Sequence, residues 1–225
     1  EMCIRDRFIS DEGTKKYLIK ISSGSMVEMV IIPDGKRKTL CISSQAGCAL
    51  QCSFCATGAQ GFDQNLESDE IIGQLWLANF KCNQEDKITN VVFMGMGEPL
   101  LNFNAVIESA KVMKDQLAYA LSRKRITISS SGIVPNINRL NEHVDVSLAI
   151  SLHASDNKLR DKLVPINKKY PLESLIESCK CFLEFHNNKR HITIEYILIK
   201  NINDSLEHAK KQVRLLSEFT CKINL

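Results

Sequence analysis

The sequence lacks any run of about 18 uncharged apolar residues, so no membrane-spanning helix and no membrane partner are expected. It also lacks the apolar core of a signal peptide near its N-terminus, and a cytoplasmic location is the expectation. Charge of one sign is missing too. Lys plus Arg number 29 against 26 Asp plus Glu, a formal net charge of +3. So mild a balance neither demands nor excludes a nucleic-acid partner. Nine cysteines in 225 residues are too few for a disulfide scaffold. In a reducing compartment, clustered thiols point instead to metal binding or chemistry. Low-complexity segments and close repeats are absent. What remains, 44% hydrophobic and 24% charged residues, is ordinary for a folded domain and argues against a disordered, collagen-like or coiled-coil chain. The length suits one large domain or two small ones.

Both ends read as cuts. Residues 1–7 (EMCIRDR) look like the translated end of a sequencing-library adapter, so this segment and Cys3 are left out of the fold reading. The other end, Cys221 to Leu225, stops in mid-strand by pattern. The chain is therefore read as a fragment.

Residues 8–35 read as a β-hairpin segment: KYLIKI and MVEMVIIP flank a Ser-Ser-Gly-Ser turn, and Pro33-Asp34-Gly35 closes it. Over 36–225 strands alternate with helices. Strands are expected at 39–44, 88–95, 125–130, 144–151 and 192–199, with a sixth beginning at Cys221. Helices are expected from a Ser68 cap to about Phe80, over 104–116, 156–163 and 172–186, and from a Ser205 cap to about Ser217. Repeated β-then-α units imply an α/β fold with a parallel sheet and right-handed crossovers. The expected architecture is a partial (β/α)6-type, TIM-like barrel, truncated in strand six and preceded by the hairpin segment. A doubly wound open sheet is the alternative. Either way the site belongs at the C-terminal ends of the strands.

Directly after the first core strand comes Cys48-Ala-Leu-Gln-Cys52-Ser-Phe-Cys55, a C-x3-C-x2-C spacing. A structural zinc normally takes four protein ligands, and no fourth Cys or His lies nearby. A four-iron cluster normally takes four thiolates, so three would leave one iron open. Three buried cysteines, or zinc with a distant fourth ligand, is the alternative. Gly95-Met96-Gly97-Glu98-Pro99 follows the second core strand. Its glycines permit close backbone approach, and Glu98 can accept hydrogen bonds from an ammonium group. Ser129 ends the third strand, and Ser151-Leu152-His153 the fourth.

The cysteine spacing resembles that of the radical S-adenosylmethionine (SAM) superfamily. More than that core is recognisable. The stretches CISSQAGCALQCSFCATGAQGF, NVVFMGMGEPLLNFNAV, SLAISLHA and VPINKKYP resemble the ribosomal-RNA adenine C2-methyltransferases, which also modify transfer RNA. The resemblance runs from about residue 14 to 225. Pro99-Leu100-Leu101 and Ala49-Leu50 look like the C2 enzymes rather than their C8-methylating, antibiotic-resistance relatives.

The resemblance implies a [4Fe-4S] cluster on Cys48, Cys52 and Cys55, with the open iron binding SAM. It implies SAM contacts at Gly97, Glu98, Ser129, Ser151, Leu152 and His153. It implies a resolving thiol at Cys41, seven residues before Cys48, and a proton acceptor at Glu28. Without the resemblance Cys41 reads as a core cysteine and Glu28 as a solvent-facing strand residue. The resemblance further implies two SAM molecules per turnover: one to methylate a second cysteine, the other to yield a deoxyadenosyl radical that activates that methyl group. After addition to the adenine, Cys41 forms a disulfide with that second cysteine and releases the product. The implied partners are 23S rRNA and tRNA, with an electron donor such as flavodoxin, and the implied state is a monomer.

The methyl-carrying cysteine, a small N-terminal helical domain and a downstream asparagine lie outside this chain. The fragment is accordingly expected to bind the cluster but not to methylate. Cys82, Cys179, Cys181 and Cys221 match no functional position. Lys36-Arg37-Lys38 and Arg123-Lys124-Arg125 are either RNA-phosphate contacts or solvated loop ends. A non-catalytic metal- or RNA-binding module is the remote alternative.

Overall fold

The computed structural model describes residues 2–82, 87–187 and 189–225. Its first three strands are antiparallel: Cys3–Ile9 (β1), Lys15–Lys20 (β2) and Met26–Asp34 (β3). The segment 1–7, set aside in the sequence, thus contributes to an edge strand, apart from residue 1, which lies outside the described residues. Its side chains are mostly outside the core, although Met2 and Ile4 pack on it. β3 pairs antiparallel with Arg37–Cys41 (β4), and from there the sheet is parallel.

The parallel strands are β4, Asn90–Phe93 (β7), Ile126–Ser130 (β8), Ser147–Ser151 (β9), Ile192–Glu195 (β10) and Cys221–Asn224 (β11). Between β4 and β7 lie a two-stranded flap, Gln45–Gly47 (β5) with Phe62–Asn65 (β6), and two helices, Ala56–Gln60 (α1) and Ser68–Leu77 (α2). Helices Phe103–Lys114 (α3), Val134–His143 (α4), Asn157–Leu163 (α5), Leu172–Phe185 (α6) and Leu206–Leu216 (α7) fill the remaining crossovers.

Among the described residues the large sheet runs β1-β2-β3-β4-β7-β8-β9-β10-β11. A doubly wound sheet reverses strand order at a switch point. Here the parallel strands follow chain order without reversal, as a partial barrel requires.

Alternation along each strand sorts the two faces. Leu40, Val91, Ile128, Leu148 and Ile194 are at most 1% exposed and pack outward beneath the helices. The opposite, inward face carries Cys41, Thr127, Ser129, Ser151 and Glu195. One face is therefore hydrocarbon core and the other is polar.

Several local expectations shift. The cap of α2 is Glu67, not Ser68. Glu67 and Glu70 form a reciprocal capping box, which satisfies donors at the helix start that a lone serine would satisfy singly. Ser205 caps α7 as expected, accepting from the His208 N–H. Helix α4 and the β5–β6 flap were not foreseen. Strand β10 stops at Glu195 because Asn203 captures the following loop: its Nδ2 donates to the Ile197 carbonyl and its Oδ1 accepts from the Ile199 N–H. Among the described residues no helix is long and apolar enough to cross a membrane.

Candidate active site

A cavity of about 300 Å³ opens at the C-terminal ends of the parallel strands. Cys48, Cys52 and Cys55 line it together with Gly97, Glu98, Ser129, Ser151 and His153. The ends of four strands, β4, β7, β8 and β9, thus bring the sequence-selected residues to one place. Leu152, Cys41 and Glu28 lie elsewhere.

The cysteine loop is anchored by backbone. Cys48 N–H donates to the Gly61 carbonyl at 2.8 Å, and Cys55 N–H to the Cys52 carbonyl at 3.0 Å. Gly47, at φ +76°, lets the strands of the flap meet: a Cβ there would sit 2.0 Å from the Gly61 oxygen. Burial pushes the Cys52 thiol up to about 11 and raises Cys48 as well, with the neighbouring thiols adding to both. Among the described residues no three Cys, His, Asp or Glu side chains converge tightly enough to hold a single metal ion. Three thiols lining one cavity are a soft donor set that fits an iron–sulfur cluster, and they would have to lose their protons on binding one.

Glu98 is 3% exposed. Its Oε1 accepts from the Leu100 N–H at 3.0 Å and its Oε2 from the Ser131 N–H at 2.7 Å. Burial still raises its carboxyl above the usual range. Among the described residues Glu98 forms no ion pair, and an ammonium in the cavity would supply a cation. Gly97 holds the turn before it at φ +95°, and a Cβ there would strike the Gln45 side chain at 2.4 Å. Gln45 in turn accepts from the Glu98 N–H.

His153 has a left-handed backbone, φ +58°, unusual for a non-glycine residue. Its Nδ1 accepts from the Ile197 N–H at 3.1 Å, which leaves the proton on Nε2. Burial, then the Arg160 cation, hold its pKa down to about 4. The ring is therefore a neutral donor at neutral pH. It meets Phe54, between two of the cysteines, edge-on at 4.6 Å.

Leu152 does not line the cavity. Its side chain is fully buried in the core, its N–H donates to the Glu195 carbonyl, and its carbonyl accepts from Arg160. Cys41 lies on the inward face of β4, below the cavity, beside the Met94 backbone; burial pushes its thiol up to about 11. Glu28 is on β3. Val30 pairs with Cys41, so Glu28 shares their face as a diagonal neighbour, about 7–8 Å away by ordinary sheet geometry. Its carboxylate pairs with Lys16 Nζ at 2.6 Å.

Two residues were missed. Arg160 on α5 is fully buried. Its guanidinium donates to the carbonyls of Ser131, Ser151 and Leu152 and to Asn167 Oδ1, between 2.8 and 3.0 Å. None of these acceptors is a carboxylate. The cation thus ties the ends of β8 and β9 together beneath the cavity, and burial pulls its pKa down to about 10. No sequence pattern distinguishes it from a solvated helix arginine. Glu195, which ends β10 and lines the cavity, carries the same positional signal that picked out Ser129 and Ser151.

Residues 42–213 match the Radical SAM superfamily. The chain belongs to that superfamily. It is 55% identical over 222 residues to the dual-specificity RNA methyltransferases RlmN of Pseudomonas fluorescens (strain SBW25) and Pseudomonas putida (strain GB-1), covering 96% of this chain and 58% of each relative. The chain thus spans under two thirds of the curated relatives it matches. A radical SAM methyltransferase structure from Sphaerobacter thermophilus superposes with a TM-score of 0.95 at 38% identity, over 100% of this chain and 66% of that one. SAM-bound SuiB of Streptococcus suis shares the fold, with a TM-score of 0.54 at 16% identity over 80% of this chain and 38% of its own. Superfamily membership brings with it SAM and a four-iron cluster.

Proposed function

We propose that Cys48, Cys52 and Cys55 hold a [4Fe-4S] cluster whose fourth iron is left for SAM, and that the complete protein methylates C2 of adenine in 23S rRNA and tRNA. The observation that carries this reading is the shared cavity: three cysteine thiols face a desolvated carboxylate, two serine hydroxyls and a neutral imidazole in a chain 55% identical to RNA methyltransferases. Bound cluster and SAM supply one-electron hydrogen-abstraction chemistry, which an electron-poor adenine carbon requires because it is a poor nucleophile.

The chain's own residues prepare that chemistry. Glu98 binds the ammonium of SAM and loses its burial penalty in doing so. Ser129, Ser151 and the Nε2–H of His153 offer hydrogen bonds to the polar atoms of SAM. Gly97 shapes the turn, and Leu152 acts through its neighbours by holding them to β10 and Arg160. Cys41, protonated at neutral pH, becomes a nucleophile only after losing its proton. Its disulfide partner is a cysteine outside this chain; all nine cysteines here are free. Glu28 is the proton acceptor, poised diagonally from Cys41. An external one-electron donor such as flavodoxin, a monomeric state and a cytoplasmic location complete the reading.

The test is product analysis. The complete protein, incubated anaerobically with labelled SAM, a reductant and 23S rRNA or tRNA, should yield 2-methyladenosine by mass spectrometry. 8-Methyladenosine would assign the protein to the C8 class, and no methylated adenine would overturn the reading.

A further inference from the structure

The opposite end of the same strands carries a second, larger concavity of about 870 Å³. It lies below the cavity just described. Thr127 and Thr193 line it, while Ser129 and Glu195, two residues further along the same strands, line the cysteine cavity. On these strands the two linings are thus two residues apart, about 7 Å along the strand. Among the described residues, eight lysine or arginine side chains line this bowl and no carboxylate does. The whole chain carries only +3, so positive charge is concentrated here.

The two basic stretches left open in the sequence meet in this bowl. Lys36 comes from the turn between β3 and β4 and Arg37 opens β4, while Arg123, Lys124 and Arg125 come from the 3-10 turn entering β8. Lys222 projects from β11. Arg123 and Arg190 share Asp145. Lys36, Lys124 and Lys222 are exposed and form no ion pair with any described residue. His191, at the same wall, is held below its usual pKa by burial and by Lys222 and Lys124, a sign of the field inside. Like charges crowded into one concavity repel, and an anion relieves that cost.

The lining also says what kind of anion. Thr127, Ser147 and Thr193 offer hydroxyls. Its sole Phe, Tyr or Trp is Phe182, 3% exposed and turned into the core. Base recognition in single strands uses stacking platforms, and among the described lining residues only His191 and the arginines could act as one, so cationic charge dominates the lining. We propose that this bowl grips the phosphate backbone of the RNA substrate, away from the adenine undergoing modification. The inference rests on the RNA-modifying function proposed above and adds a second contact point to it.

The test uses the complete protein and a Lys36→Gln/Lys124→Gln/Lys222→Gln variant. Binding of fluorescent tRNA is measured by anisotropy across a salt series. Circular dichroism and the SAM-dependent cluster signal check that the fold and site persist. Each neutralised phosphate contributes about −0.9 to the slope of log affinity against log salt. The variant should therefore lose about 2–3 in slope and bind roughly tenfold or more weakly at 0.15 M salt. An unchanged slope in a folded variant would overturn the inference while leaving the proposed function standing. Displacement of tRNA by millimolar inorganic phosphate at constant ionic strength would mean a small-anion pocket and would also overturn it. Failure of the unmodified protein to bind RNA would overturn both readings.

Discussion

The two ends of the parallel strands handle charge in opposite ways. At the C-terminal end, Glu98, His153 and Arg160 are all nearly or fully buried, and each is held by backbone groups at fixed distances. Burial shifts each towards its neutral form. At the N-terminal end, exposed lysines such as Lys36, Lys124 and Lys222 line an open bowl. Fixed, desolvated groups act strongly on a small ligand at short range. Solvated cations act weakly one by one, and their summed field suits a long polyanion. The same strands thus present a reaction chamber at one end and a handle at the other.

The comparison breaks most visibly at Arg160. Arg160→Met should cost about 3–5 kcal/mol in urea unfolding, because three strand-end carbonyls and Asn167 lose their buried donor. Arg160→Lys should recover part of that. A loss below about 1 kcal/mol for the methionine variant would mean that the clamp is dispensable.

A smaller effect concerns His153. Its folded pKa, about 4, lies below the ordinary imidazole value of 6.5. The unfolded chain therefore binds more protons between those values, and stability rises with pH across that window. The apo protein should be unaffected above pH 6.5 and should lose up to about 3 kcal/mol on acidification to pH 4, through this residue alone. His153→Gln should flatten that part of the urea-unfolding profile. An identical profile in the variant would remove the buried imidazole from the account.

The smallest effect is expected in the bowl. Lys124→Gln should change stability by no more than about 0.5 kcal/mol, as a slight gain at low salt that fades as salt rises. A large, salt-independent loss would show that the lysine is structural.

How much of this was legible beforehand depended on the kind of signal. Strands β7 and β8 announced themselves as apolar runs between turn residues, and the cysteine spacing marked its own loop. Helix α4 did not, because it fully buries only Ile137 and Leu140 and is mostly polar beyond its first turn. The β5–β6 flap has strands of three and four residues, too short to show alternation. Glu67 was passed over beside Ser68 because a reciprocal cap depends on Glu70 reaching back. Arg160 was invisible since its role lies in carbonyls from two distant strands. The gathering of two basic stretches into one bowl likewise needed the fold. Conversely, Leu152 sits in the cysteine end's sequence motif yet faces the core, since strand alternation turns it away from its neighbours.

The most direct measurement of the central claim is electron paramagnetic resonance of the anaerobically reconstituted, reduced protein, with and without SAM. A [4Fe-4S]⁺ signal that changes when SAM is added, and is lost in Cys48→Ala, Cys52→Ala and Cys55→Ala, is the predicted result. Stoichiometric zinc in a folded sample, or a cluster signal indifferent to SAM, would contradict it.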